Sequence, residues 1–288
     1  MWYELKICQV NPNLVETLSE SLEEQGALSV TWTDQNDDPI LEPAPGSLPL
    51  WPEVQLTALF ETQEEAELVQ RTVSHSYPDL SSSIHTLMDQ AWERVCMDQF
   101  QPQAFGSSLW ICPSWCEPTN PEAVNVILDP GLAFGTGTHP TTALCLEWLD
   151  KNHPLDKNVI DFGCGSGILA IAARKLGAHT VYAVDIDPQA LEASAYNAEK
   201  NACLDRQFII QSPEDLNTPC DLLIANILLT PLQTLKNRFD TLLKTAGKLV
   251  ISGILAEQAE ALISTYQPVF KCLEQHQKEE WALLVFTR

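Results

Sequence analysis

The feature that most constrains this chain is an alternation in its second half. Short, nearly continuous apolar runs occur at VNVIL (124–128), VIDF (159–162), TVYAVDI (180–186), FII (208–210), DLLIANI (221–227), KLVISGI (248–254) and WALLVF (281–286). Stretches with helical spacing separate most of them. A half-exposed strand would alternate apolar and polar residues, so strands apolar on both sides must be covered on both faces. The pattern therefore predicts an α/β domain over residues 103–288, with a mostly parallel sheet of seven strands between helical layers. Between Val269 and Phe286 there is little room for a helix, so the last connection is expected to be an antiparallel hairpin at the sheet edge.

The first ninety residues read differently. Tyr3–Val10, Ala27–Thr33, Val54–Phe60 and Ser83–Met88 are strand-like, and Leu14–Gln25 and Thr62–His75 have helical spacing. Asn13 is the expected cap of the first helix, with Gly26 as its stop; Thr62 is the expected cap of the second. The order strand-helix-strand-strand-helix-strand suggests a small ferredoxin-like α+β domain over residues 1–88. Five prolines in residues 34–53 mark an extended loop. Residues 89–102 are expected to form a linker helix ended by Pro102.

Composition narrows the function. The net charge is −23, with 18 acidic residues against 3 basic in residues 1–100 and 21 against 13 thereafter. Such a surface repels phosphate backbones and attracts cationic partners, so no direct nucleic-acid substrate is expected. No apolar run reaches the roughly 18 residues of a membrane helix. The N-terminus lacks the basic-then-apolar order of a signal peptide, and nine scattered cysteines suit a reducing compartment, so a cytoplasmic location is expected. The one close pair, Cys112 and Cys116, has no second pair or nearby histidine to complete a zinc site, and no metal is expected.

Two glycine-rich stretches carry the chemistry. In VIDFGCGSG (159–167) a strand runs into a turn and then a helix. Glycines allow a tight turn and close approach of a ligand, and ligands bind at the carboxyl ends of such strands. The spacing is D-x-G-x-G-x-G, with Asp161 two residues before Gly163, rather than the G-x-G-x-x-G of dinucleotide-binding dehydrogenases. The next strand ends in VDIDP, where Asp185 can accept hydrogen bonds from ribose hydroxyls. Together these motifs resemble those that bind S-adenosylmethionine in class I methyltransferases. Strand DLLIAN ends in Asn226. Amino-nitrogen methyltransferases begin an N-P-P-Y/F motif at this position; here Ile227 and Leu228 replace the prolines. The Asn226 carbonyl oxygen can accept N–H bonds from an incoming amine.

The second stretch, LDPGLAFGTGTHPTT (128–142), together with IDFGCGSG, VDIDP, ANIL, ERVCMDQF, FGSSLWICPSW, SGIL and KEEW, resembles the bacterial methyltransferases of large-subunit ribosomal protein eleven, over essentially the full chain. The resemblance implies an N-terminal substrate-recognition domain, a linker and a Rossmann-like class I methyltransferase domain. It implies transfer of methyl groups from S-adenosylmethionine to lysine ε-amines and the N-terminal α-amine of that ribosomal protein, free or on the ribosome, by a monomer. It carries cofactor contacts onto Thr142, Gly163, Asp185 and Asn226, and Gly165 belongs to the same turn. Two residues are added on type: Phe134 as an apolar wall, and His139 as a candidate base that would otherwise shape the loop. The Leu132–Thr142 loop would fold over the cofactor. The alternative is a methyltransferase of another ribosomal or translation component, protein or RNA.

Overall fold

The computed structural model describes residues 1–36, 40, 49–88, 100–129, 137 and 139–288. The chain divides into two compact units, Met1–Val95 and Cys96–Arg288. The expected linker helix and the Pro-rich loop fall largely outside the described residues.

In the first unit the elements are β1 (Trp2–Val10), α1 (Pro12–Glu24), β2 (Ser29–Asp34), β3 (Val54–Phe60), α2 (Gln63–Ser76) and β4 (Ser81–Leu87). The sheet order is β2-β3-β1-β4 with every neighbouring pair antiparallel, a ferredoxin-like arrangement. Leu5, Ile7, Leu56 and Phe60 from the sheet pack with Leu18, Leu22, Val69 and Val73 from the helices. Thr62 and Glu65 form a reciprocal capping box on α2. The cap of α1 is Asn11, not Asn13: Pro12 takes the first helical position, and the Asn11 side chain accepts from the Asn13 amide.

The second unit contains β5 (Gln103–Phe105), β6 (Leu109–Cys112), β7 (Val124–Ile127), α3 (Pro140–Lys151), β8 (Asn158–Phe162), α4 (Ile168–Lys175), β9 (Thr180–Val184), α5 (Pro188–Lys200), β10 (Phe208–Gln211), β11 (Cys220–Asn226), α6 (Leu229–Leu242), β12 (Leu243–Leu255), α7 (Ala259–Tyr266), β13 (Lys271–Lys278) and β14 (Trp281–Thr287). The large sheet has seven strands in the order β10-β9-β8-β11-β12-β14-β13. Five strands are parallel; β14 runs antiparallel to both neighbours. Successive residues point to opposite faces. Val159, Leu222, Ile224 and Val250 join α3 and α4 in one core; Ile160, Leu223, Ala225 and Ile251 join α6 and α7 in the other.

Two sequence expectations need correction. VNVIL forms β7, but β7 pairs with β6 in a separate three-stranded sheet. The seventh strand of the main sheet is β13, KCLEQHQK, whose polar residues suit its place at the edge, where much of the strand meets solvent. The expected closing hairpin is β13–β14.

One interaction ties the small sheet to α3. Asp150, near the C-terminal end of α3, accepts from the Ser107 and Ser108 amides at 2.7 and 2.8 Å and from both hydroxyls at 3.2 and 2.7 Å. Gly106 is required beside it, with φ +90° and a Cβ position only 2.1 Å from Asp150 Oδ2. Burial alone would raise the Asp150 carboxyl, but these four hydrogen bonds hold it below the ordinary carboxylate range. Asp150→Ala strands two amides and is expected to lower stability by about 2–3 kcal/mol in chemical denaturation; a loss under about 0.5 kcal/mol would show that the clamp is dispensable.

Candidate active site

The carboxyl edge of the large sheet has one topological switch point. From β8 the chain crosses to β9 by way of α4; from the adjacent β11 it crosses the other way, by α6, to β12. Ligands of open α/β sheets bind in the crevice this divergence leaves. The glycine turn follows β8 and Asn226 ends β11, two residues beyond the Ile224–Asp161 pair.

Gly163, Gly165 and Gly167 all have positive φ, +82°, +52° and +78°, a run that only glycine adopts without strain. The Gly163 and Cys164 amides both donate to the Val184 carbonyl, at 2.7 and 3.0 Å. From α5, Ser194 and Asn197 donate to the Gly165 and Ser166 carbonyls. The turn is thus held in shape from the β9 side before any ligand arrives.

Each residue of the D-I-D segment after β9 has a separate place. Asp185 Oδ2 accepts from the Gly165 amide at 2.9 Å, which fixes its carboxylate against the glycine turn. Asp187 caps α5 through the Gln189 amide. Ile186 between them is 84% exposed. An apolar side chain this exposed, next to the acid that Gly165 holds, is a residue that glycine and acid spacing does not single out; its only signal in the sequence is an isoleucine where a strand has just ended.

On the other side of the switch point, Asn226 Nδ2 donates to Thr142 Oγ1 at 3.2 Å. Asn226 Oδ1 is buried and, among the described residues, has no hydrogen-bond partner. Asp161 presents a second such atom: Oδ2 accepts from the Ala170 amide at 2.9 Å, and Oδ1 is buried and unpartnered. Burial pushes the Asp161 carboxyl up to about 7, and the Asp185 charge adds to the effect. Among the described residues these two buried acceptors have no donor and neither Asp161 nor Asp185 has a cation partner, which matches a ligand that brings donors and positive charge. S-adenosylmethionine, with a sulfonium, an ammonium and ribose hydroxyls, fits that description.

Thr142 lies in the first turn of α3, and His139 is that helix's cap. His139 Nδ1 accepts from the Thr141 amide at 3.4 Å and lies 2.8 Å from the Thr141 hydroxyl. The ring packs edge-on against Trp281, with centroids 4.8 Å apart, and burial lowers its pKa despite Glu279. A neutral ring whose Nδ1 accepts carries its proton on Nε2. At the other end of the second glycine stretch, Asp129 is held by the Ser114 amide and hydroxyl and by Lys200. Phe134 and most of the loop between these anchors lie outside the described residues, as does Gly135; Gly137, with φ +92°, packs near Ile168, Ile111 and Phe105. Among the described residues no group of His, Cys, Asp and Glu is arranged to hold a metal ion, and no helix is long and apolar enough to cross a membrane.

A sheet of order 3-2-1-4-5-7-6 with its last strand reversed, and with a glycine turn and a strand-end acid at the switch point, defines a class I S-adenosylmethionine-dependent methyltransferase. Comparison with known proteins narrows the class. The family model described as ribosomal protein L11 methyltransferase (PrmA) matches residues 1–288. The chain is 54% identical to the ribosomal protein L11 methyltransferase of Legionella pneumophila (strain Corby), covering 100% of this chain and 99% of the relative. It is 50% identical to that of Shewanella sediminis, with the same coverage. A crystal structure of the ribosomal protein L11 methylase from Lactobacillus delbrueckii subsp. bulgaricus is similar, with TM-score 0.61 and 32% identity, over 66% of this chain and 99% of that one. The chain belongs to the ribosomal protein L11 methyltransferase family.

The Asp161 carboxyl has a consequence for stability. Its pKa rises from about 3.9 unfolded to about 7 folded, so the folded state holds more protons between these values. Its contribution to stability is full below the lower value and lost as pH rises through the upper. Asp161→Asn removes this titration. In thermal melts of the cofactor-free protein, the variant should gain on wild type from pH 5 to pH 8; a difference that does not change with pH would contradict the assignment.

Proposed function

We propose that this chain transfers methyl groups from S-adenosylmethionine to amino groups of ribosomal protein L11, specifically to lysine ε-amines and the N-terminal α-amine. Family membership supplies the reaction. The observation that carries the amine assignment is the Asn226 carbonyl oxygen, buried without a donor at the carboxyl end of β11 while its amide nitrogen is engaged by Thr142.

S-adenosylmethionine supplies a methyl group activated by its sulfonium. On this reading the Gly163–Gly165 turn bears on it from the β8 side, and Asp185, whose Oδ2 accepts from the Gly165 amide and Oδ1 from the Asp187 amide, accepts from the ribose hydroxyls with its remaining lone pairs. Ile186 walls the apolar part of the nucleoside, and Phe134 and Thr142 close the other side. Asn226 Oδ1 accepts an N–H of the incoming amine and turns its lone pair toward the methyl group, which substitutes orientation for chance encounter. A lysine amine is neutral in only about one molecule in a few thousand at pH 7. Desolvation in the crevice favours the neutral form, so no dedicated base is required. His139 we assign to shaping the loop: its Nδ1 is occupied as the cap of α3, and its other nitrogen carries a proton.

Residues 1–88 are proposed to recognise the ribosomal protein, with 89–102 as the connection and 103–288 as the catalytic domain. The acidic excess of the first hundred residues supports this, since ribosomal proteins are basic and complementary charge speeds encounter. The chain is proposed to act as a cytoplasmic monomer, on L11 free or on the ribosome.

Intact-mass spectrometry of L11 after incubation with the protein and S-adenosylmethionine tests this reading. Stepwise gains of one methyl group are expected, with peptide mapping locating them on amines. Asn226→Ala should lower kcat about 100-fold while cofactor affinity in calorimetry stays within about three-fold of wild type, a loss of one hydrogen bond or less. Equal losses in both would place Asn226 in the cofactor pocket instead. No mass gain with wild type would overturn L11 as the substrate.

A further inference from the structure

We propose that Ile227 is a positioning residue that couples the glycine turn after β8 to Asn226 at the end of β11. The proposal deepens the reading above and rests on it. Ile227 follows Asn226 directly and is gripped on two sides. Its Cγ2 fills the space a side chain at Gly163 would need: a Cβ there would lie 2.3 Å from that methyl group. Its main chain is pressed against Gly253 of β12, where a Cβ would lie 2.5 Å from the Ile227 carbonyl oxygen and 2.8 Å from its carbonyl carbon and nitrogen. Gly253 has φ +84° and sits where the β12–β14 register breaks between Ile251 and Ile254. A β-bulge of this kind bends the strand locally, and bulges gather beside active sites. Here it makes room for the Ile227 peptide.

The two glycines belong to segments on either side of β11. Gly163 follows β8; Gly253 lies within β12. Ile227 therefore wedges between both neighbours of its own strand, one bond from the residue that presents the acceptor oxygen. In an N-P-P-Y/F motif the prolines stiffen the backbone by fixing φ. In this chain packing does that work, and a β-branched side chain, stiff at χ1, suits it. Asn226 adds only one described side-chain hydrogen bond, to Thr142, so the direction of its free oxygen depends on where its backbone is held.

The branch at Cβ makes the idea testable by isomers. Ile227→Val keeps the Cγ2 methyl that meets Gly163; Ile227→Leu keeps the carbon count but moves the branch outward and removes that methyl. Wild type and both variants would be compared by calorimetry with S-adenosylmethionine, by steady-state methyl transfer to L11, and by thermal melting. Ile227→Val should match wild type within about two-fold. Ile227→Leu should raise the cofactor Kd about five-fold and lower kcat about ten-fold, the scale of a small misplacement, with KM for L11 unchanged and a melting temperature equal to that of Ile227→Val. Gly253→Ala, which pushes the Ile227 peptide while leaving its side chain intact, should repeat the fall in kcat at constant KM. The proposal is overturned if Ile227→Leu behaves as wild type, if the Val and Leu variants lose activity equally, or if the losses follow melting temperature. Wild type that binds cofactor but leaves L11 unmodified would overturn the substrate reading alone, because the Kd comparison between Val and Leu variants still decides the coupling.

Discussion

Two neighbouring strands send their chains in opposite directions, and the site depends on that divergence. β8 leads through α4 toward β9, and β11 leads through α6 toward β12, on the opposite face of the sheet. A crevice must open between their carboxyl ends, because no crossover covers both. The glycine turn after β8, Asp185 after the next strand out and Asn226 on β11 all lie at its lip. The surrounding core consists of aliphatic side chains with no exposure to solvent, such as Val159, Ile160, Leu223 and Ile224. Such packing allows little adjustment, so the strand ends that flank the crevice are firmly placed.

The site is built with unmet electrostatic demand. Asp161 is fully buried with one oxygen unpartnered, and Asp185 stands close enough to raise its pKa further. A ligand that brings donors and positive charge complements both acids. Asn226 carries the neutral version of this device: one end of its amide is held by Thr142, the other waits for a donor. Acceptors fixed before the amine arrives need no reorganisation at the moment of reaction.

Much of this was legible in the sequence because it is local. Gly163, Gly165 and Asp185 announce themselves by spacing, and the βαββαβ order of the first unit follows from periodicity alone. What was hidden is long-range or polar. Within the expected closing hairpin, β13 carries little apolar signal because an edge strand can expose most of its side chains, and VNVIL is apolar at four of its five positions, although it pairs with β6 instead. The Asp150 clamp joins residues 42 and 43 positions apart, so no window of sequence contains it. His139 was visible as a titratable group in a loop, yet its use as a helix cap was signalled by Pro140 at the first helical position. Ile227 looked like a departure from a motif; only the two glycines it fills, one on each side, give it a place.

Asp185 and the glycine turn are the proposed seat of the cofactor. The most direct measurement is calorimetric titration of wild type and Asp185→Ala with S-adenosylmethionine. Saturable one-site binding to wild type is expected, with about a ten-fold or greater loss of affinity in the variant, the loss of at least one hydrogen bond to a charged acceptor. Wild-type affinity in the variant, or no binding to wild type, would contradict it.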